Sequence, residues 1–343
     1  MFWDKQDGKA ELVMGQYYLA SGYSHGQKDD MVLFWAEGSG KMEIVSTYRQ
    51  GDSPSFLCTM GKRIYAVSEH PSYAAVTAYG LQKDKIISIK RMEFTGAGLC
   101  HLSAGQQVLY AGCYGSGHLY VLDGQLKDIL YCYEGRKDLK GVTSHMHWTA
   151  VPDSNTLLGA DCGSDRIYVF SLKDGIPYGR VREILLKKGS GPRQILFDRK
   201  REVAVIVNEQ DGTLLFTKSR FWEQKSDIFP WETAERVPVT QRKSHRNYPG
   251  GACVNSRGEV FVSNRGENTI GVFGTDGGYG CQGEWDCGGN WPRYLHVTEE
   301  NILFAACERS GRVNSFLYRD GQLMEADSIP LYGAACVIPV DGG

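Results

Sequence analysis

The chain has 343 residues, 42% of them hydrophobic and 23% charged, with a formal net charge of −2. This balance fits a soluble globular protein and argues against a general nucleic-acid binder, which would carry a basic stripe. No window approaches the length of apolar run that a membrane-spanning helix needs.

The opening stretch, MFWDKQDGKAELVMGQ, is charged and lacks an apolar run of signal-peptide length. Ten cysteines without a secretion signal read as reduced thiols in a cytoplasm. Cys281 and Cys287 form the one suggestive pair, but their spacing is unusual for zinc and no second ligand pair follows. The 42 glycines and 19 tyrosines supply many turns and many β-favouring aromatics, which points to an all-β chain.

Seven segments, taken in chain order, share one pattern of apolar strand, polar or glycine-bearing turn, and second apolar strand. They are YYLASGYSHGQKDDMVLFW, IYAVSEHPSYAAVTAY, VLYAGCYGSGHLYVL, LLGADCGSDRIYVF, VAVIVNEQDGTLLF, VFVSNRGENTIGVF and ILFAACERSGRVNSF. The first strands close at Gly22, Ser68, Cys113, Asp161, Asn208, Asn264 and Cys307, so the gaps are 46, 45, 48, 47, 56 and 43 residues. That is the period of a four-stranded propeller blade. Six units have an earlier strand, in SPSFLCTM, GAGLCHLSA, SHMHWTAV, SGPRQILF, YPGGACVN and NWPRYLHV. The first unit begins too near the chain start to have one, and the C-terminal YGAACVIPV supplies it. The predicted fold is an all-β, seven-bladed β-propeller over residues 1–343 as one domain. Its ring is closed by a C-terminal strand completing blade one, which removes two open sheet edges. A pair of β-sandwiches with accidental spacing is the alternative. The long gap places an insertion at about 218–246 between blades five and six, with WETAERV forming a short helical turn.

The inner strand of each blade lines the channel, so distant residues converge at its mouth. Counting back from the closing residues reaches His147, Arg193 and Arg293 near the starts of inner strands. A second register, just after the closing residues, reads Tyr23, Glu69, Tyr114, Cys162, Glu209, Arg265 and Glu308. Isolated charges are costly in a strand-rich core. Gathered at a wet mouth they point to an anionic ligand.

His145 and His147 have strand spacing and would face one side. Three readings stand beside one another: a metal pair, with Glu209 as third ligand; a histidine satisfied by packing; and acid–base chemistry near an unperturbed pKa of about 6.5. Three nearby arginines would repel a cation. Arg193 and Arg293, each after a proline, could belong to turns with surface ion pairs, and Glu209 could simply pair with Arg265. His25, His70, His101, His118, His245 and His296 read as surface or packing residues.

The pieces SHMHWTAVPDSNTLLGADCGSDRIYVF, GSGPRQILFD with VNEQDG, VFVSNRGENTIGVF and NWPRYLHV together resemble the propeller lactonases. This is the seven-bladed 6-phosphogluconolactonase group that also includes the fungal carboxy-muconate lactonizing enzyme. The resemblance covers nearly the whole chain, although the first blade's YLASGYS and the eroded turns CTMGKR and FDRKRE depart from the family pattern. It implies a metal-free site at one channel mouth, built on a histidine, two arginines and a glutamate. Carried over by motif, these are His147 with His145 as companion, Arg193, Arg265 and Glu209. His145, Arg293 and Glu69 are expected to bind substrate there. The implied activity is metal-independent hydrolysis of a sugar lactone, such as 6-phosphogluconolactone, with no cofactor. The alternatives are a muconate-type lactonizing lyase on the same scaffold, a non-catalytic interaction propeller, or a sugar-acid binder without turnover. The sequence assigns a small-molecule substrate and neither nucleic acid nor membrane as partner, and it leaves oligomeric state open.

Overall fold

The structure is a computed structural model, and it describes residues 15–24, 28–135, 141–224, 226–243, 246–274 and 278–341. Its strands form seven four-stranded sheets, each an antiparallel blade. The inner strands of blades two to seven are Leu57–Met60, Leu99–Ala104, Met146–Asp153, Pro192–Asp198, Tyr248–Val254 and Pro292–Val297. Blade one takes its inner strand from the other end of the chain: Ala334–Val340 pairs with Gly15–Gly22 in register from Tyr17↔Val340 to Ser21↔Cys336. The expected closure is therefore present, and blade one meets blade seven with no open edge between them.

Four of the second strands, Val108–Cys113, Val203–Asn208, Val260–Arg265 and Ile302–Cys307, are buried from end to end. Neighbouring blades cover both their faces, so these strands read as continuous apolar runs. The outermost strands have water on one side; Lys85–Phe94 is mostly exposed. Apolar side chains pack between blades in successive clusters. Tyr18 and Phe34 of blade one meet Phe304 of blade seven at ring separations of 4.7 and 5.6 Å. Each large side chain buried this way is worth about 1.5–3 kcal/mol.

The long segment differs from its sequence-based placement. Glu235–Pro238, expected to share a helical turn, is the fourth strand of blade five and pairs with Thr213–Lys218. The extra chain thus falls within blade five, before its outer strand, where Phe221–Glu223 and Trp231–Thr233 form short 3₁₀ turns. Phe221, Trp222 and Phe229 are buried against blades four and five. Trp222 meets Phe197 at 5.5 Å, at the far end of the inner strand from Arg193. The excursion is held at that end by apolar burial and does not cover the mouth that carries the charged residues.

Deleting Ala334–Val340 is expected to abolish cooperative thermal unfolding and yield aggregates on size-exclusion chromatography. A truncated chain that stays monodisperse and melts like the parent would contradict ring closure by this strand.

Candidate active site

The inner strands do not run in simple register. Six of the seven skip a residue or two against their neighbours, at Cys100, His147, Arg193, Gly250–Gly251, Arg293 and Ala335 in blades three to seven and one. Such bulges bend a strand and re-aim its side chains. Here the skipped positions line one axial cavity of about 20 Å³, together with Ser55, Phe56, Trp148, Gln194 and Tyr294. A space of this size holds a single water. Large polar residues stand at three of the bulges, and small ones at Cys100, Gly250 and Ala335 leave room for them. At Gly250 a side chain would be impossible, since a Cβ would lie 2.7 Å from the Pro292 carbonyl oxygen.

Four of the expected residues touch directly. Arg193 Nη1 donates to His147 Nε2 and to Glu209 Oε2, both at 2.6 Å. Arg265 Nη2 lies 2.9 Å from the same Glu209 oxygen. The blade-six bulge frees carbonyls that complete both guanidiniums: Arg193 Nε donates to Gly250 O at 2.9 Å, and Arg265 Nη2 to Pro249 O at 2.9 Å. His147, Arg193 and Arg265 are 6%, 7% and 4% exposed, so one carboxylate and a few carbonyls replace water around two buried cations.

Arg293 and Glu69 belong to an adjoining group on blades seven, one and two. Arg293 pairs with Glu308 at 3.4 Å and lies over the Tyr23 ring at 4.9 Å. The Tyr23 hydroxyl donates to Glu69 Oε2 at 2.9 Å, and Ser55 Oγ donates to the same oxygen. Arg293 and His147 both line the axial cavity. His145 stands apart from these ion pairs: its Nδ1 donates to Tyr114 O at 2.8 Å and its ring stacks on Tyr114 at 4.3 Å. Asp161, fully buried, accepts from the amides of His145, Gly163 and Ser164 and pins that turn.

The protonation states follow from this geometry. A guanidinium only donates, so His147 accepts at Nε2 and carries its proton on Nδ1, which is buried and has no partner among the described residues. Burial, then the charges of Arg193 and Arg293, push the His147 pKa well below 6.5. Burial alone would raise the Glu209 carboxyl, but Arg193 and Arg265 outweigh it and hold the group down to about 2. Burial and the neighbouring arginines lower Arg265 to about 9, which still leaves it charged at neutral pH.

Beneath the cavity the channel is closed by packing. His101, expected among surface or packing residues, stacks on Trp148 at 3.6 Å and meets Phe56 at 4.4 Å. His70 is half-buried on Tyr73, His296 packs against Tyr18, and His118 stacks on Tyr120. His25 and His245 lie outside the described residues. Cys287 finds a different neighbour from Cys281: its sulfur lies 3.8 Å from that of Cys307, both buried, while Cys281 is exposed. Among the described residues no three His, Cys, Asp or Glu side chains group as metal ligands. A larger cleft of about 610 Å³, near Thr59, Lys62 and Asp341, lies at the opposite ends of the inner strands and contains none of these site residues.

The fold and site define a closed seven-bladed propeller with a buried arginine–glutamate–histidine cluster at one axial mouth. The chain belongs to the family of seven-bladed β-propeller lactonases, whose model matches residues 17–339. It is 25% identical over 239 residues to the 6-phosphogluconolactonase of Bacillus subtilis (strain 168), a match spanning 64% of this chain and 66% of that protein. A candidate 6-phosphogluconolactonase structure from Bacteroides fragilis NCTC 9343 shares the fold at a TM-score of 0.82 and 22% identity, covering 95% and 98% of the two chains. The periplasmic gluconolactonase PpgL of Pseudomonas aeruginosa does so at 0.83 and 16%, covering 95% and 99%. Among the described residues no helix is long and apolar enough to cross a membrane.

The site makes stability depend on pH. The His147 and His101 rings stay neutral when folded, each pushed below 6.5 by burial first and then by Arg193. The unfolded chain takes up these protons below about pH 6.5. Stability is therefore full above that pH and falls as the pH drops, by up to about 2 kcal/mol per ring at pH 5. Urea midpoints between pH 8 and pH 5 should show this, with a shallower fall for His147→Gln. A midpoint unchanged to pH 5 would contradict it.

Proposed function

We propose that this protein hydrolyses a sugar lactone, 6-phosphogluconolactone or a related sugar-acid lactone, at the axial mouth. The observation that carries the reading is the buried contact of His147, Arg193, Glu209 and Arg265. Membership of the lactonase family and the name of the Bacillus subtilis relative support it.

Ester opening needs a place for the oxyanion and a group to move a proton. Guanidinium N–H groups in a dry site stabilise developing negative charge. Arg193 and Arg265 supply them, and Glu209 holds both in position. With its carboxyl held down to about 2, Glu209 is a weak base and serves as the anchor. His147 is neutral at pH 7, so it enters as a base. As the carbonyl oxygen gains charge, Arg193 Nη1 turns towards it and releases the Nε2 lone pair. Water attacks the carbonyl carbon and His147 Nε2 takes its proton. The ring C–O bond breaks and that proton passes to the leaving alkoxide, giving the hydroxy acid. No step in this scheme requires a metal.

A panel of sugar lactones followed by proton release tests the reading. The wild type should accelerate opening, and a chelator should not change the rate. His147→Gln should lose about 10²–10⁴-fold in kcat while the product acid still binds. Because the ring is neutral throughout, kcat/KM should hold level from pH 8 to pH 6. Spontaneous rates across the panel would overturn the hydrolase reading. An inflection near pH 6.5 that His147→Gln removes would overturn the neutral-base role.

A further inference from the structure

The axial arginines are matched by carboxylates. Arg193 and Arg265 share Glu209, Arg293 pairs with Glu308, and Glu69 lies beside them on Tyr23. Three guanidiniums face three carboxylates, so this ring offers no surplus charge to a permanent anion. The surplus lies one layer out. Arg309 is exposed and lies on the Trp291 indole, its Cζ 3.4 Å from the ring centroid. Arg246, also exposed, lies over Tyr248 at 4.9 Å, and the Tyr248 and Trp291 rings are 6.3 Å apart. The same indole reaches inward to the site, with Arg265 Cζ at 5.6 Å. Among the described residues neither Arg246 nor Arg309 has a carboxylate within ion-pair distance.

The backbone of Trp291 is the second observation. Its φ is +63°, and its carbonyl accepts the Glu308 amide at 3.1 Å. The same turn recurs in other blades. Gly98 (φ 58°) accepts from Tyr114, Gly191 (φ 61°) from Glu209, and Ser53 (φ 55°) from Glu69. Blades three and five thus put glycine where blade seven puts tryptophan. A bulky residue in the left-handed region is strained, and such strain gathers at functional sites. What the strained backbone holds in place is an indole carrying Arg309 at the rim and bordering Arg265 within.

We propose that Arg309 on Trp291, with Arg246 on Tyr248 beside it, binds an anionic group, phosphoryl or carboxylate, that the substrate carries away from its lactone carbonyl. This rests on the lactonase reading and deepens it. The neutral ester enters the charge-balanced ring, where negative charge develops only during reaction. The permanent anion stays at the wet rim, where an unpaired guanidinium held flat by an aromatic ring is pre-organised to donate two N–H groups.

The test compares kcat/KM for 6-phosphogluconolactone, glucarolactone and uncharged gluconolactone in the full chain. The wild type should prefer at least one anionic lactone by about tenfold or more, the scale of a charge-assisted hydrogen bond. Whether the phosphorylated or the carboxylated lactone is preferred identifies the group. Arg309→Ala should remove most of that preference. Trp291→Gly, which installs the residue that blades three and five use in this turn, should do the same by removing the platform. Arg199→Ala, exposed at the far end of blade five, should leave the ratio as in the wild type. No preference in the wild type, or a preference that survives both Arg309→Ala and Trp291→Gly, overturns the proposal. If the wild type opens no lactone, the hydrolase reading fails and calorimetry with 6-phosphogluconate, glucarate and gluconate decides the rim proposal separately. Preference for a second anion that Arg309→Ala abolishes supports it, and equal binding of the three acids overturns it.

Discussion

One carboxylate between two buried guanidiniums is the constraint on which the axial site depends. Glu209 Oε2 lies within 2.6 Å of Arg193 and 2.9 Å of Arg265. Two like charges brought out of water at this distance would repel strongly. They are tolerable only with a shared counter-charge and with carbonyls filling the remaining N–H positions. The rest of the site follows from that arrangement. Arg193, fixed at Nε by Gly250 and at Nη1 by Glu209, turns the other Nη1 N–H on His147 and sets that ring's tautomer.

The propeller makes the arrangement affordable. Closure by the C-terminal strand leaves the axis lined by inner strands from every blade, and the bulges in six of those strands aim their skipped residues into it. In blade six the bulge leaves carbonyls unpaired in its own sheet, and the arginines of blades five and six use them. The same local irregularity that weakens one ladder supplies the acceptors for two cations. Below, the His101–Trp148–Phe56 packing closes the channel and keeps the cluster at one end.

Much of this was legible in the sequence. The repeat period showed the blades, and the missing first strand of blade one showed where the C-terminus must go. Counting back from each closing residue found His147, Arg193 and Arg293, because the bulges recur at equivalent places and preserve the count. The bulges themselves were not legible, since a skipped residue leaves no mark on an apolar pattern. Nor was the outer strand Glu235–Pro238, which is short and half exposed and so carries no strong alternation. The sequence offered both an anionic ligand and a simple Glu209–Arg265 pair; the distances give that pair and add Arg193 to it. The left-handed backbone of Trp291 is equally silent in sequence, where NWPRY reads as an ordinary turn before a strand.

The central claim is that Glu209 and Arg265 act as one electrostatic unit at the axis. Denaturant unfolding of the wild type, Glu209→Gln, Arg265→Met and the double variant measures this directly. Glu209→Gln strands two buried cations and should cost about 3–5 kcal/mol. The double variant should cost less than the sum of the singles by at least about 1 kcal/mol. Single costs that add to within about 0.5 kcal/mol would contradict the account.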